Sequence, residues 1–352
     1  WRWVFFISVP VVLAAVVVML LRVPESRSEQ GPGRLDWLGA SLVTAGLGGL
    51  AYGLIEGPVV GWDSPLVLAG LVGGAVSLGL FVLVERSAED PMVPLNLFRS
   101  RNFSAANLTT LGVYFGLYGL SFFLIIYLQN VLDYSAFQAG LVLAPVSLLM
   151  LVLSPVFGRF AGRYGPRLFM AAGPVVCGLG LLAFTRVTPS SDYWTGLLPA
   201  IVLFGLGLAC TVAPLTDTVI SSVPERNSGL AAAFNNAVSR GSALLAVAGL
   251  GVVVTLTFQG ALAQRTADLA LDASERQTLE NVADDPTGGA DPEKLPAPAR
   301  AAVDLAYTEA FHRAMIAAAA MAVAGGVVSG VAIRNRAAQD GQEKETRRET
   351  VG

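Results

Sequence analysis

Charge is scarce in this chain. Of 352 residues only 14% are Asp, Glu, Lys or Arg, against roughly 25% in an ordinary globular domain. There is one histidine, His312, and there are two cysteines, Cys177 and Cys210. Each shortage removes a class of function. One histidine and two cysteines leave no zinc-ligand spacing and no disulfide framework. Both cysteines fall inside apolar runs and read as small packing residues. A formal net charge of −3 without a basic arm gives no footing for nucleic acid. No Gly-rich loop followed by Lys-Ser or Lys-Thr is present to hold nucleotide phosphates. No paired-acid, Ser/His or His-rich constellation lies inside an apolar run, so an enzyme is not expected, nor is a cofactor or a metal.

Apolar sequence is what the chain has in excess: hydrophobic residues make up 54%. They gather into nine long stretches, 3–21, 36–55, 65–84, 103–127, 138–157, 166–185, 194–222, 229–257 and 306–333. Most run to about 18–25 residues, the length a helix needs to cross roughly 30 Å of hydrocarbon. The expected fold class is an all-α membrane protein with nine transmembrane helices. The start at Trp1 and Arg2 mimics a secretory signal, but no small-residue cleavage site follows. It reads as a start within a longer protein.

The loops set an orientation. Arg22, Arg27 and Arg34 follow the first stretch, Arg86, Arg99 and Arg101 the third, and Arg159, Arg163 and Arg167 the fifth. Arg226 follows the seventh, and Arg334, Arg336, Lys344, Arg347 and Arg348 the ninth. The alternate loops 56–64 and 128–137 hold no Lys or Arg, and 186–193 holds only Arg186. The positive-inside bias then puts the arginine-bearing loops and the C-terminus in the cytoplasm of a multi-pass protein, expected in the bacterial plasma (inner) membrane. Loop 258–305, long and acidic, is expected outside as a solvated loop with a short helix near 261–281. Tail 335–352 is charged and reads as disordered.

By these breaks the chain divides into a first helix (1–22), a cytoplasmic linker (23–35), a transmembrane hairpin (36–84), a second cytoplasmic linker (85–101), a six-helix unit (102–334) and the tail.

Specific motifs carry a resemblance. WRWVFFISVP at 1–10 resembles the start of the sixth helix of fourteen-helix drug:proton antiporters of the major facilitator superfamily. PLNLFRSRNF at 94–103 is similar to the approach to that family's ninth helix. Tyr127, Leu128 and Gln129, with Tyr134, Ser135, Ala139, Gly140 and Leu141, resemble the loop before the tenth and its start. Val223, Pro224, Glu225 and Arg226, followed by Asn235 and Asn236, resemble the turn into the thirteenth. The resemblance implies that residues 1–22 are the last helix of an N-terminal bundle whose other helices precede this chain. The hairpin is then the extra central pair, and 102–334 the complete C-terminal bundle. It also implies that the first, second, fourth and fifth helices of that bundle line a cavity while the third and sixth stay bland.

Polar residues inside the stretches are the candidates for function. At about 100° per residue, Asn107, Thr110, Tyr114, Tyr118 and Ser121 share one face of the fourth stretch, and Gln129 continues it. That face reads either as a cavity wall or as interhelical glue. Gly112, Gly116 and Gly119 share the opposite face at a spacing suited to close helix contact. Asn235 and Asn236 are further cavity candidates. Asp217 is the one acid deep in a stretch of the six-helix unit, and Arg240 is a deep arginine with Asn236 one turn before it. Intramembrane charges are costly and mark ion or proton paths, so these two are the proton-coupling candidates, with a mutual ion pair one arrangement open to them.

The loop GRFAGRYGPR at 158–167 is similar to the superfamily's cytoplasmic Gly-x-x-x-Asp-Arg-x-Gly-Arg motif. It offers Gly158, Arg159, Arg163, Gly165 and Arg167 as a gating element, with Gly162 standing where the motif has aspartate. The leading function is a secondary transporter, exporting amphipathic drugs or metabolites against protons by alternating access. The partners are a small amphipathic substrate, protons, the lipid bilayer and the N-terminal half of the same protein. The alternative is a non-transporting membrane sensor or assembly partner that uses loop 258–305.

Overall fold

The computed structural model describes residues 2–22, 36–87, 95–269, 271–284 and 295–335. The chain divides into two compact units, Trp1–Leu35 and Asp36–Gly352. In the first, α1 (Arg2–Arg22) is a helix of 21 residues with Pro10 inside it, coincident with the first expected span. Its stretch Val12–Arg22 is apolar and by itself too short to cross a bilayer. Eight other helices among the described residues are long and apolar enough to do so. The calls on linker 23–35, residues 88–94 of the second linker and tail residues 336–352 lie outside the described residues.

The second unit begins with a helical hairpin, α2 (Trp37–Val60) and α3 (Pro65–Ser87). Asp36 caps α2, its Oδ1 accepting from the Gly39 N–H at 2.8 Å. The two backbones touch through glycine: a Cβ on Gly49 would stand 2.7 Å from the Gly70 carbonyl oxygen, and one on Gly74 2.8 Å from that of Gly46. Leu47, Leu50, Ala51 and Leu54 of α2 then meet Gly241, Leu244, Leu245 and Ala248 of α9 (Ser228–Thr266).

Six membrane-length elements follow. They are α4 (Arg101–Asn130), the pair α5 (Ala136–Val142) and α6 (Ala144–Tyr164), α7 (Pro166–Ala183), α8 (Leu198–Ser221), α9 and α11 (Ala297–Ala332), with the short α10 (Ala273–Asp284) between the last two. The break between α5 and α6 falls at Leu143, just before Pro145, whose ring nitrogen cannot continue the hydrogen-bond ladder. α8 is entered through a π-turn, Tyr193–Leu197, capped by Asp192.

α11 packs against α4, α7 and α9, and α7 packs in turn on α8. These contacts are backbone-close. A Cβ on Gly112 of α4 would collide with the Met321 carbonyl, and one on Gly326 of α11 would lie 2.8 Å from the Ala171 carbonyl oxygen. One on Gly180 of α7 would lie 2.5 Å from the Phe204 nitrogen. The glycine face expected on α4 therefore holds, with Gly112 and Gly116 turned to α11 and Gly119 to Leu250 of α9. α7 and α11, expected to be bland, are where the bundle's tightest packing lies.

The expected outer loop is where sequence and structure part. α9 continues to Thr266 and α11 starts at Ala297, so both run well past the apolar stretches read as 229–257 and 306–333. At 1.5 Å per residue they reach about 58 and 54 Å, far more than roughly 30 Å of hydrocarbon. The extensions carry a packed face: Phe258, Leu262, Ala299 and Val303 are buried in the main core with Val282 of α10 and Leu295, while Gln264, Arg265, Ala301 and Leu305 stay exposed. The intervening helix is α10, not 261–281. Its first turn is fixed by Asp272, which accepts from the N–H groups of Ser274 and Glu275, each at 2.8 Å. The Glu275 carboxylate accepts the Asp272 N–H in return.

Two predictions follow from this packing. Gly180→Ala forces a methyl onto the Phe204 backbone and should destabilise the bundle by about 1–3 kcal/mol. It should melt earlier in detergent, whereas Gly79→Ala, with nothing within 4 Å of the new Cβ, should not. The hydrogen bonds from Glu275 and Ser274 hold Asp272 below the ordinary carboxylate range. Its stabilisation is therefore present above the unfolded value of about 3.9 and lost as pH falls through the lower folded value. Hydrogen exchange at α10 should speed up over that acid window in the native protein, and Asp272→Asn should remove the dependence.

Candidate functional site

The polar face of α4 splits into two parts. Asn107 and Thr110 are buried, at 6% and 0% exposure, and Asn235 of α9 binds both. Its Nδ2 donates to Asn107 Oδ1 at 3.1 Å and to Thr110 Oγ1 at 2.6 Å. Asn107 in turn donates to the Phe103 carbonyl and Thr110 to that of Ala106. This half of the face is glue between α4 and α9.

Beyond it the face opens. Tyr114, Tyr118 and Ser121 are half-buried, with the two tyrosine rings 6.1 Å apart, and Phe122, next to Ser121, is exposed. Ser121 returns its hydroxyl to the Leu117 carbonyl, and Gln129 is exposed with its amide on the Ile125 carbonyl. The open part is thus mainly aromatic.

Asn236 and Arg240 lie on the exposed stripe of α9 together with Leu244, which meets the hairpin. Asn236, next to the buried cluster in sequence, is not part of it. Asp217 is exposed on α8. The two charged groups do not pair with each other: among the described residues neither carries an ion pair or hydrogen bond. Asp217 instead borders a cleft of about 60 Å³ at the arginine-bearing end of the unit, lined also by Gly162, Gly165, Thr218, Ser221 and Arg334.

The loop 158–167 is divided in its roles. Gly158 lies against Ala213 of α8, and Gly165 takes φ +90°, a left-handed turn that favours glycine, with the Asn335 side chain where its Cβ would be. Arg167 caps the end of α11, its Nε donating to the Gly330 carbonyl at 2.7 Å and its backbone N–H to Asn335 Oδ1 at 3.4 Å. Arg159 and Arg163 stay exposed, Arg163 lying over the Tyr164 ring at 5.5 Å.

Three features of this end escaped sequence reading. Arg101 donates to the Val331 carbonyl at 2.9 Å. Asn102 grips Arg334 twice, donating to its carbonyl at 3.0 Å and accepting its N–H at 2.9 Å. Thr218 is buried in the cleft wall. The lone histidine is structural in placement, bonding the Val187 carbonyl at 2.8 Å, and its neighbour Glu309 pairs with Arg265 at 3.2 Å. Among the described residues no group of acids, histidines and cysteines could hold a metal ion.

The family model described as Major Facilitator Superfamily matches residues 1–247. The chain belongs to the major facilitator superfamily. It is 31% identical over 287 residues to multidrug resistance protein Stp of Mycobacterium tuberculosis, covering 80% of this chain and 52% of that protein. With the tetracenomycin C resistance and export protein of Streptomyces glaucescens it shares 34% over 258 residues, 72% of this chain and 47% of the relative. With puromycin resistance protein pur8 of Streptomyces alboniger it shares 35% over 271 residues, 76% and 53%. The chain thus spans about half the length of the curated relatives it matches.

A crystal structure of a bacterial homolog to human lysosomal transporter, Spinster, inward-facing and unoccupied, matches with a TM-score of 0.51 and 16% identity. That match covers 84% of this chain and 67% of the other, and shows the shared fold. The expected likeness to the superfamily's drug:proton antiporters is borne out by these relatives, and the chain is a multi-pass membrane protein.

The asparagine link between α4 and α9 is testable. In a double-mutant cycle of Asn107→Ala and Asn235→Ala, the coupling should be about 0.6 kcal/mol and at most ~1.7. Unfolding titrations in mixed micelles measure it, and additive single effects would contradict the link.

Proposed function

We propose that this chain is part of a proton-coupled secondary carrier that exports amphipathic compounds by alternating access, rather than a sensor or an enzyme. The observation that carries the reading is the state of Asp217 and Arg240. Both lie in membrane-length helices and both are exposed on the unit's surface without a partner among the described residues. Turning a charge to lipid at the bilayer centre costs ~2.5–3.5 kcal/mol, so Arg240, well inside α9, faces water or a further protein surface, and Asp217, near the end of α8, opens to the cleft it borders. In a carrier that environment is the pathway between two bundles.

The half-buried tyrosines and exposed apolar side chains of α4 supply a wall for a greasy substrate, with hydrogen bonds at its rim. Relatives with drug-resistance and export names support outward movement of such compounds. The arginine-bearing end, with the C-terminus, is then cytoplasmic in a bacterial inner membrane. Asn236 and Gln129 extend the cavity wall, while Arg159 and Arg163 are the loop arginines open to a partner in another state. Other protein segments complete the pathway opposite this bundle. The sensor reading is less favoured, because part of 258–305 packs α9, α10 and α11 together and the relatives carry resistance and export names.

Asp217→Asn in the full-length protein should reduce efflux driven by a proton gradient at least tenfold in everted vesicles, while substrate still binds to the purified protein. Unchanged gradient-driven efflux would remove Asp217 from coupling.

A further inference from the structure

Three tyrosines lie along α4, and their surroundings differ. Tyr127 is 2% exposed, its ring stacked on Phe311 at 4.7 Å and its hydroxyl shared with Thr308 at 3.3 Å. Tyr114 and Tyr118 are half-buried, and among the described residues neither hydroxyl takes a hydrogen bond or is sealed from solvent. Their neighbours on the same stripe are already satisfied. Thr110, one turn earlier, has the Ala106 carbonyl and Asn235, and Ser121, one turn later, has the Leu117 carbonyl. At mid-helix, two phenol groups are what this face keeps open. Tyr114 is steadied from behind, packed on the cluster that holds Phe103, Leu215 of α8 and Ala231 of α9. With the rings 6.1 Å apart and inclined at 39°, the pair makes a tilted aromatic shelf.

No charge stands on this shelf. α4 carries no Asp, Glu, Lys or Arg between Arg101 and Asp133. Arg240 lies five residues beyond Asn235, whose side chain meets α4, and so about 140° farther around α9. Asp217 borders the cleft at the arginine-bearing end, which neither tyrosine lines. A cation brought to the shelf gives up hydration without meeting a counter-charge, and contact with a tyrosine face returns only part of that loss. An anion meets the same cost. A neutral ring that bears oxygens gains twice. Its face packs offset or edge-on against the tyrosines, and its oxygens engage the open hydroxyls, each of which both donates and accepts.

We propose that Tyr114 and Tyr118 form a substrate subsite for neutral fused-ring aromatic compounds bearing hydroxyl or carbonyl oxygens. This rests on the carrier reading and narrows it: charge on the substrate counts against binding here, and the two phenols set the preference.

Equilibrium dialysis with purified full-length protein at neutral pH tests it, using three probes of similar size: 2,6-dihydroxynaphthalene, naphthalene and the permanent cation N-methylquinolinium. The diol should bind about tenfold or more tightly than the cation. Tyr114→Phe and Tyr118→Phe keep the rings and remove the hydroxyls. Each should weaken diol binding about 2- to 10-fold, and naphthalene, which has no oxygen, by less; retained naphthalene binding also shows that the face is folded. Equal diol affinity in wild type and both Phe variants overturns the proposal, and is the result expected if another part of the full-length protein covers the shelf. A cation bound as tightly as the diol overturns it too. Diol binding that follows the expected pattern without any gradient-driven efflux would leave the subsite standing and end the carrier reading alone.

Discussion

Apolar helices in a bilayer gain nothing by hiding from one another, since lipid tails are as greasy as leucine. What holds such a bundle is the closeness of its backbones. In this chain that closeness comes from glycine facing carbonyl or amide at Gly112, Gly180 and Gly326. Because α11 lies against α4 and α7 in this way, its register sets theirs. Thr109 shows the consequence: its hydroxyl reaches Ser329 at 2.6 Å and the Gly325 carbonyl at 3.0 Å, distances that exist because small residues surround it.

Polar side chains then sort by whether this packing encloses them. Asn107 and Thr110 lie where α4 and α9 meet, so they are satisfied by Asn235 and become structural. Tyr114 and Tyr118, farther along the same face, remain half-open. One stripe of a helix thereby supplies both cohesion, where Asn235 reaches it, and an accessible aromatic wall farther along.

Much of this was legible in the residues. Span length followed from apolar runs, and the glycine face of α4 followed from its spacing. The helix extents at the outer end were not legible, because hydropathy marks where a chain leaves lipid, and α9 and α11 continue as helices beyond that point. Their continuation is supported by the Phe258 ring tilted against Tyr307, centroids 4.4 Å apart, and by α10 packing on them, contacts between segments distant in sequence. The polar stripe was read correctly as a face, but its partner on α9 has no periodic signature. Thr218 was invisible for a plainer reason. A single threonine in an apolar helix normally bonds its own backbone, and nothing in the local sequence marks the one that does not.

The arginine-bearing end gives Asp217 its surroundings. Arg167 and Arg101 cap α11, and Asn102 holds Arg334 by both backbone groups. Carbonyls at a helix C-terminus carry partial negative charge, so guanidinium groups there are both hydrogen-bonded and favourably placed in the field. These bonds tie the starts of α4 and α7 and the end of α11 into one block. Asp217 stands at the edge of that block, across a cleft from Gly162, where the resembling motif carries an aspartate. In the proposed carrier, a change of charge at Asp217 acts at the edge of these bonded helix ends. That is the mechanical arrangement a proton needs if its arrival is to move more than one side chain.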